Sequence, residues 1–174
     1  VVLNIDEDHL DFFGNLENIK KSFREFCDKT TKTIIYNGDD ANTVDMLKGI
    51  DGKELISFGK NPENEWTARN INVPGGFHIE YDVYHGDEFI THIYLHIPGE
   101  HNVLNSLAAF IACIKSGADV EKTAHGLSDF TGAGRRFELK GTYCGVTVAD
   151  DYAHHPREIE VTLEAAMKMG YKRV

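Results

Sequence analysis

With 174 residues, 41% hydrophobic and 26% charged, the chain has the ordinary make-up of a globular protein, long enough for one domain and part of a second. A net charge of −10, from 28 acids against 18 bases, excludes a generic nucleic-acid surface but not a nucleotide held by one or two placed arginines. No apolar run approaches the ~20 residues that cross a bilayer, the start has no basic n-region, and Cys27, Cys113 and Cys144 form no metal or CxxC pattern, so a cytoplasmic protein with reduced thiols is expected.

Residues 1–5 read as a buried strand and 6–14 as an acidic turn closed by Gly14. Leu16, Ile19, Phe23, Phe26 and Cys27 have helical spacing, predicting a helix from Asn15 to about Lys29. A strand at Thr33–Tyr36, a short helix from Asp40 to Lys48 and a strand at Leu55–Phe58 follow, an alternation that implies an open α/β sheet. The pattern then lengthens into Trp66–Val73, Phe77–His85 and Glu88–Ile97, an antiparallel hairpin or meander with a tight turn at Gly86-Asp87. Beyond Pro98-Gly99 comes an amphipathic helix with Leu104, Leu107, Ala108, Ile111 and Ile114 on its buried face, then a helix over 120–129. Thr131-Gly132-Ala133-Gly134 has no apolar period and reads as a hinge, which divides the chain into 1–133 and 134–174. Two β-like segments, Phe137–Tyr143 and Val146–Ala149, precede a helix opened by Pro156, with Ile159, Leu163, Ala166 and Met167 as its apolar stripe. The strand-like character of both ends suggests a piece of a longer protein.

Four runs have chemistry to offer. Asp6-Glu7-Asp8-His9-Leu10-Asp11 follows a predicted strand, where open α/β sheets place ligands; it suits a hard cation, or is a solvated acidic loop, the commoner meaning of such a run. Asn102 and Asn105, three apart on one helix face, can match a purine edge with their carboxamides, or cap the helix and face solvent. Arg135 and Arg136 beside the glycine hinge are either surface charges or bidentate phosphate ligands. In Asp150-Asp151-Tyr152-Ala153-His154-His155-Pro156, a carboxylate can accept a ribose diol or can serve turn chemistry, and His155 can cap the next helix. Zinc at His154 and His155 is disfavoured, because no further His or Cys lies at ligand spacing. His78, His85, His92, His96 and His125 share no motif and read as half-exposed sheet residues, and Trp66 as packing.

Taken together, Asn4-Ile5, Asp8-His9, Asp11, His101-Asn102-Val103-Leu104-Asn105, Arg136-Phe137-Glu138 and the Asp150–Pro156 run resemble the Mur ligases, which build the peptide of bacterial cell-wall precursors. The resemblance implies an α/β fold made of the later part of a central ATPase-type domain, residues 1–133, and the start of a Rossmann-like C-terminal domain, 134–174. It implies that His9 ligates Mg2+, that Asn102 and Asn105 lie against the adenine of ATP, and that Arg136 holds its phosphates. Arg135 is a weaker match. Asp151 is implied as the ribose contact, with Tyr152 and His154 toward the acceptor substrate. The Asp-Asp-Tyr-x-His-His-Pro form points to the branch that joins UDP-N-acetylmuramate to L-alanine through an acyl phosphate. A recycling ligase that accepts a murein tripeptide, or a non-catalytic nucleotide-binding homologue, are the alternatives. Neither Gly-x-x-x-x-Gly-Lys-[Ser/Thr] nor Gly-x-x-Gly-Lys-Thr occurs in the 174 residues, so the phosphate loop is expected upstream. The chain alone is expected to lack ligase activity and to bind ATP weakly or not at all.

Overall fold

The computed structural model describes residues 1–75 and 77–174. Among them the first unit holds a five-stranded sheet in the order β1 (Thr33–Asn37), β2 (Glu54–Gly59), β3 (Trp66–Gly75), β4 (His78–His85) and β5 (Glu88–Leu95). β1, β2 and β3 run parallel, and β4 and β5 continue antiparallel. A parallel neighbour ordinarily needs a long crossover. β3 escapes that need because it pairs only at Phe58↔Trp66 and Gly59↔Thr67, beginning where β2 ends. The β4–β5 turn has Gly86 at φ 58 as its first central residue, the glycine position of a type II′ turn.

The sheet is covered on both faces, and alternation along β1 shows how. Ile34 packs into a cluster with Val2, Ile5, Ile19, Cys27, Met46 and Leu47. Its neighbour Ile35 enters the opposite core with Phe58, Tyr81 and Leu107. The first cluster is closed by α2 (Leu16–Lys29), whose Asn15 side chain caps Asn18 N–H at 2.9 Å, and by α3 (Ala41–Leu47), capped by Asp40. The second is closed by α4 (His101–Lys115), with α5 (Val120–Asp129) beside it.

Three expectations change here. Residues 1–5 do not form a strand. Val2 makes one parallel bridge to Tyr36, and then side chains replace the ladder: Asp40 accepts the Ile5 N–H at 3.3 Å and Asn42 donates to the Ile5 carbonyl at 2.9 Å. The acidic turn contains a one-turn helix, α1 (Leu10–Phe13). On α4 the buried face is rotated: Val103 and Phe110 are fully buried, whereas Leu104 and Ile114 are half-buried.

The second unit is a hairpin of β6 (Glu138–Tyr143) and β7 (Val146–Asp150) followed by α6 (Pro156–Met167). Its two-residue turn, Cys144 at φ 50 and Gly145 at φ 80, is of type I′. The expected apolar stripe of α6 is largely exposed, at Ile159, Leu163 and Met167, with Ala166 half-buried; Ala165 is the buried position. A hairpin and one helix offer too little surface to cover a stripe. The side of α6 that carries Val161, Ala165 and Lys168 lies toward Lys60, Val73 and Gly99–His101 of the first unit.

Candidate active site

A cleft of about 560 Å³ lies between the two units, walled by Ile97 and Pro98 just beyond β5, the first turns of α4, residues 130–137 and one side of α6. Asn102, Asn105, Arg136 and Asp151 all line it. They come from three separated segments, so tertiary structure alone gathers them.

Asn102 does not cap α4. It lies inside the first turn, where its Nδ2 donates to the Pro98 carbonyl at 2.7 Å and its Oδ1 accepts from Asn105 Nδ2 at 3.1 Å. One carboxamide is thus tethered and positions the second. Asn105 retains its Oδ1 and one N–H for a ligand.

The two arginines separate in role. Arg135 lies 4.4 Å over the Tyr152 ring and 3.9 Å from Asp150, and it does not line the cleft. Arg136 is exposed, with Glu158 4.0 Å away as its ion-pair partner. A contact that long and open is worth little, so this guanidinium is available to an anion.

Asp151 is already engaged. Its Oδ2 accepts the Phe137 N–H at 2.8 Å and its Oδ1 the Ala153 N–H at 2.7 Å. Tyr152 N–H also donates to the Arg135 carbonyl at 2.9 Å. The Ala153 bond is internal to the loop between β7 and α6, and the other two lash the hinge to that loop. They hold Arg135 and Phe137 in the left-handed region, at φ 59 and 47, on either side of Arg136. A carboxylate has about four lone-pair sites, so Asp151 keeps acceptor capacity toward the cleft.

His9 lies outside this cleft. It lines an adjoining pocket of about 290 Å³ that shares Asn4, Arg157 and Glu158 with it. His9 sits at φ 51 with Asp8 Oδ1 accepting its backbone N–H at 2.7 Å. Tyr152 is exposed beneath Arg135, and its ring lies 5.3 Å from that of His154. His155 caps α6 through a capping box with Glu158 and donates from Nε2 to the Glu7 carbonyl at 2.7 Å, joining the units. His85 stacks on Trp66 at 4.5 Å, while His125 lies on α5 and not in the sheet.

Sequence reasoning missed three cleft residues. Arg157 lines the cleft and both neighbouring pockets. A cation one residue past Pro156, at the positive end of a helix, is unfavourably placed, and that was the available signal. Phe130 presents an exposed aromatic face to the cavity. His101 lines it too; desolvation holds its imidazole below the usual range, with Asp151 opposing and Arg136 reinforcing the shift.

As for Mg2+, Asp8 offers one hard oxygen and His9 one nitrogen, with Asp8 Oδ2 3.6 Å from His9 Nε2. That is a poor cage but fits an ion held mainly by nucleotide phosphates and water, which needs one or two protein ligands. No described helix is long and apolar enough to cross a membrane.

Comparison with known proteins bears on the family and the fold. Residues 1–113 match the Mur ligase middle domain, and residues 135–174 match the Mur ligase, glutamate ligase domain. A UDP-N-acetylmuramate–L-alanine ligase of Caldanaerobacter subterraneus is 43% identical over 176 residues, an alignment that takes in all of this chain and 38% of that protein. The chain therefore spans about two-fifths of the length of the curated relatives it matches. Among solved structures, the UDP-N-acetylmuramate-alanine ligase MurC of Thermotoga maritima superposes with a TM-score of 0.77 at 26% identity, over 97% of this chain and 38% of that one. A murein peptide ligase of Psychrobacter arcticus gives 0.70 at 28%, over 99% and 35%. The mixed sheet, the hinge-side cleft and both domain matches lead to one conclusion: the chain belongs to the Mur ligase family.

Proposed function

We propose that the chain is the later middle domain, residues 1–133, and the start of the C-terminal domain, 134–174, of an ATP-dependent ligase that joins L-alanine to UDP-N-acetylmuramate. The observation that carries this reading is the cleft, where two carboxamides, a free guanidinium and a carboxylate line one cavity. The 43% identity to a relative of that name supports the choice of substrates.

In this reading the purine lies against Phe130, with its edge toward the free donor and acceptor of Asn105. Asp151 accepts the ribose diol with its remaining lone pairs. Arg136 takes the phosphates bidentately and meets the charge that develops during transfer. His9, with Asp8 beside it, would hold a Mg2+ bound with the nucleotide, and that ion would supply further neutralisation of phosphate charge. The carboxylate of UDP-N-acetylmuramate attacks the γ-phosphate, ADP leaves, and the alanine amine displaces phosphate from the acyl phosphate. Tyr152 and His154 face the acceptor side. The two units closing over the cleft keep water from the acyl phosphate.

The test uses a protein carrying this chain together with an upstream phosphate loop. Phosphate release from ATP should require both UDP-N-acetylmuramate and L-alanine, and Arg136→Ala should slow it by about a hundredfold or more. The 174 residues alone should give none. Faster release with murein tripeptide than with L-alanine would favour the recycling ligase, a reading the Psychrobacter likeness keeps in play. No release with either acceptor would leave a non-catalytic nucleotide-binding module.

A further inference from the structure

The face of β4 and β5 turned away from the core carries chemistry that the ligase reading leaves unused. These strands pair antiparallel as far as Ile79↔Leu95, which sets His78 opposite His96 one position further on. Directly opposed side chains on one sheet face stand about 4.5–5.5 Å apart at Cβ. Both histidines are exposed, and their ring centroids lie 5.6 Å apart at an interplanar angle of 75°. Tyr94, half-buried on the same face, packs against both rings, its centroid 5.6 Å from that of His78 and 5.0 Å from that of His96. His96 Nδ1 lies 2.7 Å from the Ser128 carbonyl. A carbonyl can only accept, so Nδ1 carries the proton and Nε2 keeps its lone pair. An imidazole held through its second nitrogen by a backbone carbonyl is the usual metal-ligating arrangement. Glu80, the next residue on this face of β4, adds a negative charge beside the pair.

We propose that His78 and His96 form a site for an exchangeable divalent transition cation of the Cu2+, Ni2+ and Zn2+ class. Imidazole nitrogens suit these ions and not Mg2+, which takes oxygen ligands. Metal–nitrogen bonds of about 2.0–2.1 Å, at tetrahedral or square-planar angles, place two ring centroids roughly 4.5–5 Å apart. The rings therefore need to close from 5.6 Å by less than the length of one bond, and exposed side chains do this by rotating about their own bonds. Two protein ligands leave the other positions to water, so the ion exchanges with solvent, unlike one in a closed four-ligand site. A bound ion ties the start of β4 to the end of β5 and, through the Ser128 carbonyl, to the end of α5. Neither histidine lines the cleft or the pocket around His9. No nucleotide, substrate or Mg2+ takes part, so this site and the ligase reading fail separately.

The experiment is titration of the isotope-labelled 174-residue chain with Cu2+, read as paramagnetic broadening of backbone amides, and with Ni2+ and Zn2+ by calorimetry. Wild type is compared with His78→Gln, His96→Gln and, as an exposed histidine elsewhere, His125→Gln. Substoichiometric Cu2+ should broaden the amides of 78–80 and 94–97 first, in wild type and His125→Gln alike. Affinity should run Cu2+ above Ni2+ and Zn2+, and excess Mg2+ should not displace the ion. Loss of a partner outside the ligand shell already costs a metal site about 10–100-fold, so removing either ligand should weaken binding by about tenfold or more. Broadening centred on other histidines, no binding in wild type, or unchanged affinity in His78→Gln would each overturn the proposal. If His96→Gln, which loses its bond to Ser128, does not fold, His78→Gln decides the matter by the same criterion.

Discussion

Replacing Asp151 by alanine should unfasten the hinge without unfolding the first unit. The side chain accepts two backbone N–H groups, from Phe137 at 2.8 Å and Ala153 at 2.7 Å. Hydrogen bonds to a charged group contribute about 1.5–3 kcal/mol each when well shielded. Asp151 is half-buried, so the pair together is worth roughly 2–3 kcal/mol. Release also relieves Phe137 of its left-handed conformation, which favours opening further. An opening made easier by that amount is populated roughly 30- to 150-fold more, and amide hydrogen exchange at Phe137 and Ala153 should accelerate by a similar factor. Strand amides of β4 and β5 should keep their rates. Asp151→Asn retains one acceptor and turns an NH2 toward the other N–H, so it should fall between wild type and alanine. Unchanged exchange at both amides in Asp151→Ala would refute the assignment of this carboxylate as the lashing group.

Arg136→Ala should leave the melting temperature almost unmoved, because its 4.0 Å pair with Glu158 is long and exposed; a clear loss of stability would mean that the guanidinium is committed to the fold. Tyr81→Phe removes a buried hydroxyl 2.8 Å from Ser106 Oγ but leaves Ser106 bonded to the Val103 carbonyl. The cost should be about 1 kcal/mol, read as roughly 2–4 °C in melting temperature. Glu158 is held below its ordinary value of 4.5 chiefly by the N–H of His154, with that of His155 helping. The unfolded chain therefore binds more protons just below that value. The contribution is complete above it and drains away as pH falls through the lower folded value. Glu158→Gln should flatten the acid limb of thermal stability as pH falls below 4.5, and an unchanged limb would contradict the assignment.

Local pattern carried most of the fold. The helices at Leu16–Lys29 and Val120–Asp129 and the turns at Gly86-Asp87 and Cys144-Gly145 follow from period, caps and dihedral demands that neighbouring residues set themselves. The failures occur where a distant segment decides. α4 is apolar at 103, 104 and throughout 107–114, so period alone cannot say which edge of that broad face the sheet takes; it takes Val103 and Phe110. Residues 1–5 read as strand, but Asp40 and Asn42 outcompete the ladder for Ile5. At the site, motifs named Asn102, Asn105, Arg136 and Asp151. They could not tell that Asn102 is a tether, that Arg135 is spent on Tyr152, or that His9 and His154 meet, because each of those facts is a contact between segments.

The central claim is that the cleft between the units is the nucleotide site. The most direct measurement is a titration of the isotope-labelled 174-residue chain with Mg-ATP into the millimolar range, followed by NMR of backbone and side-chain amides. Shifts should concentrate at residues 98–105, 130–137 and 151–158, include the Asn105 side chain, and vanish at Arg136 and its neighbours in Arg136→Ala, with weak overall affinity. Shifts centred elsewhere on the molecule, or micromolar binding that survives Arg136→Ala, would contradict it.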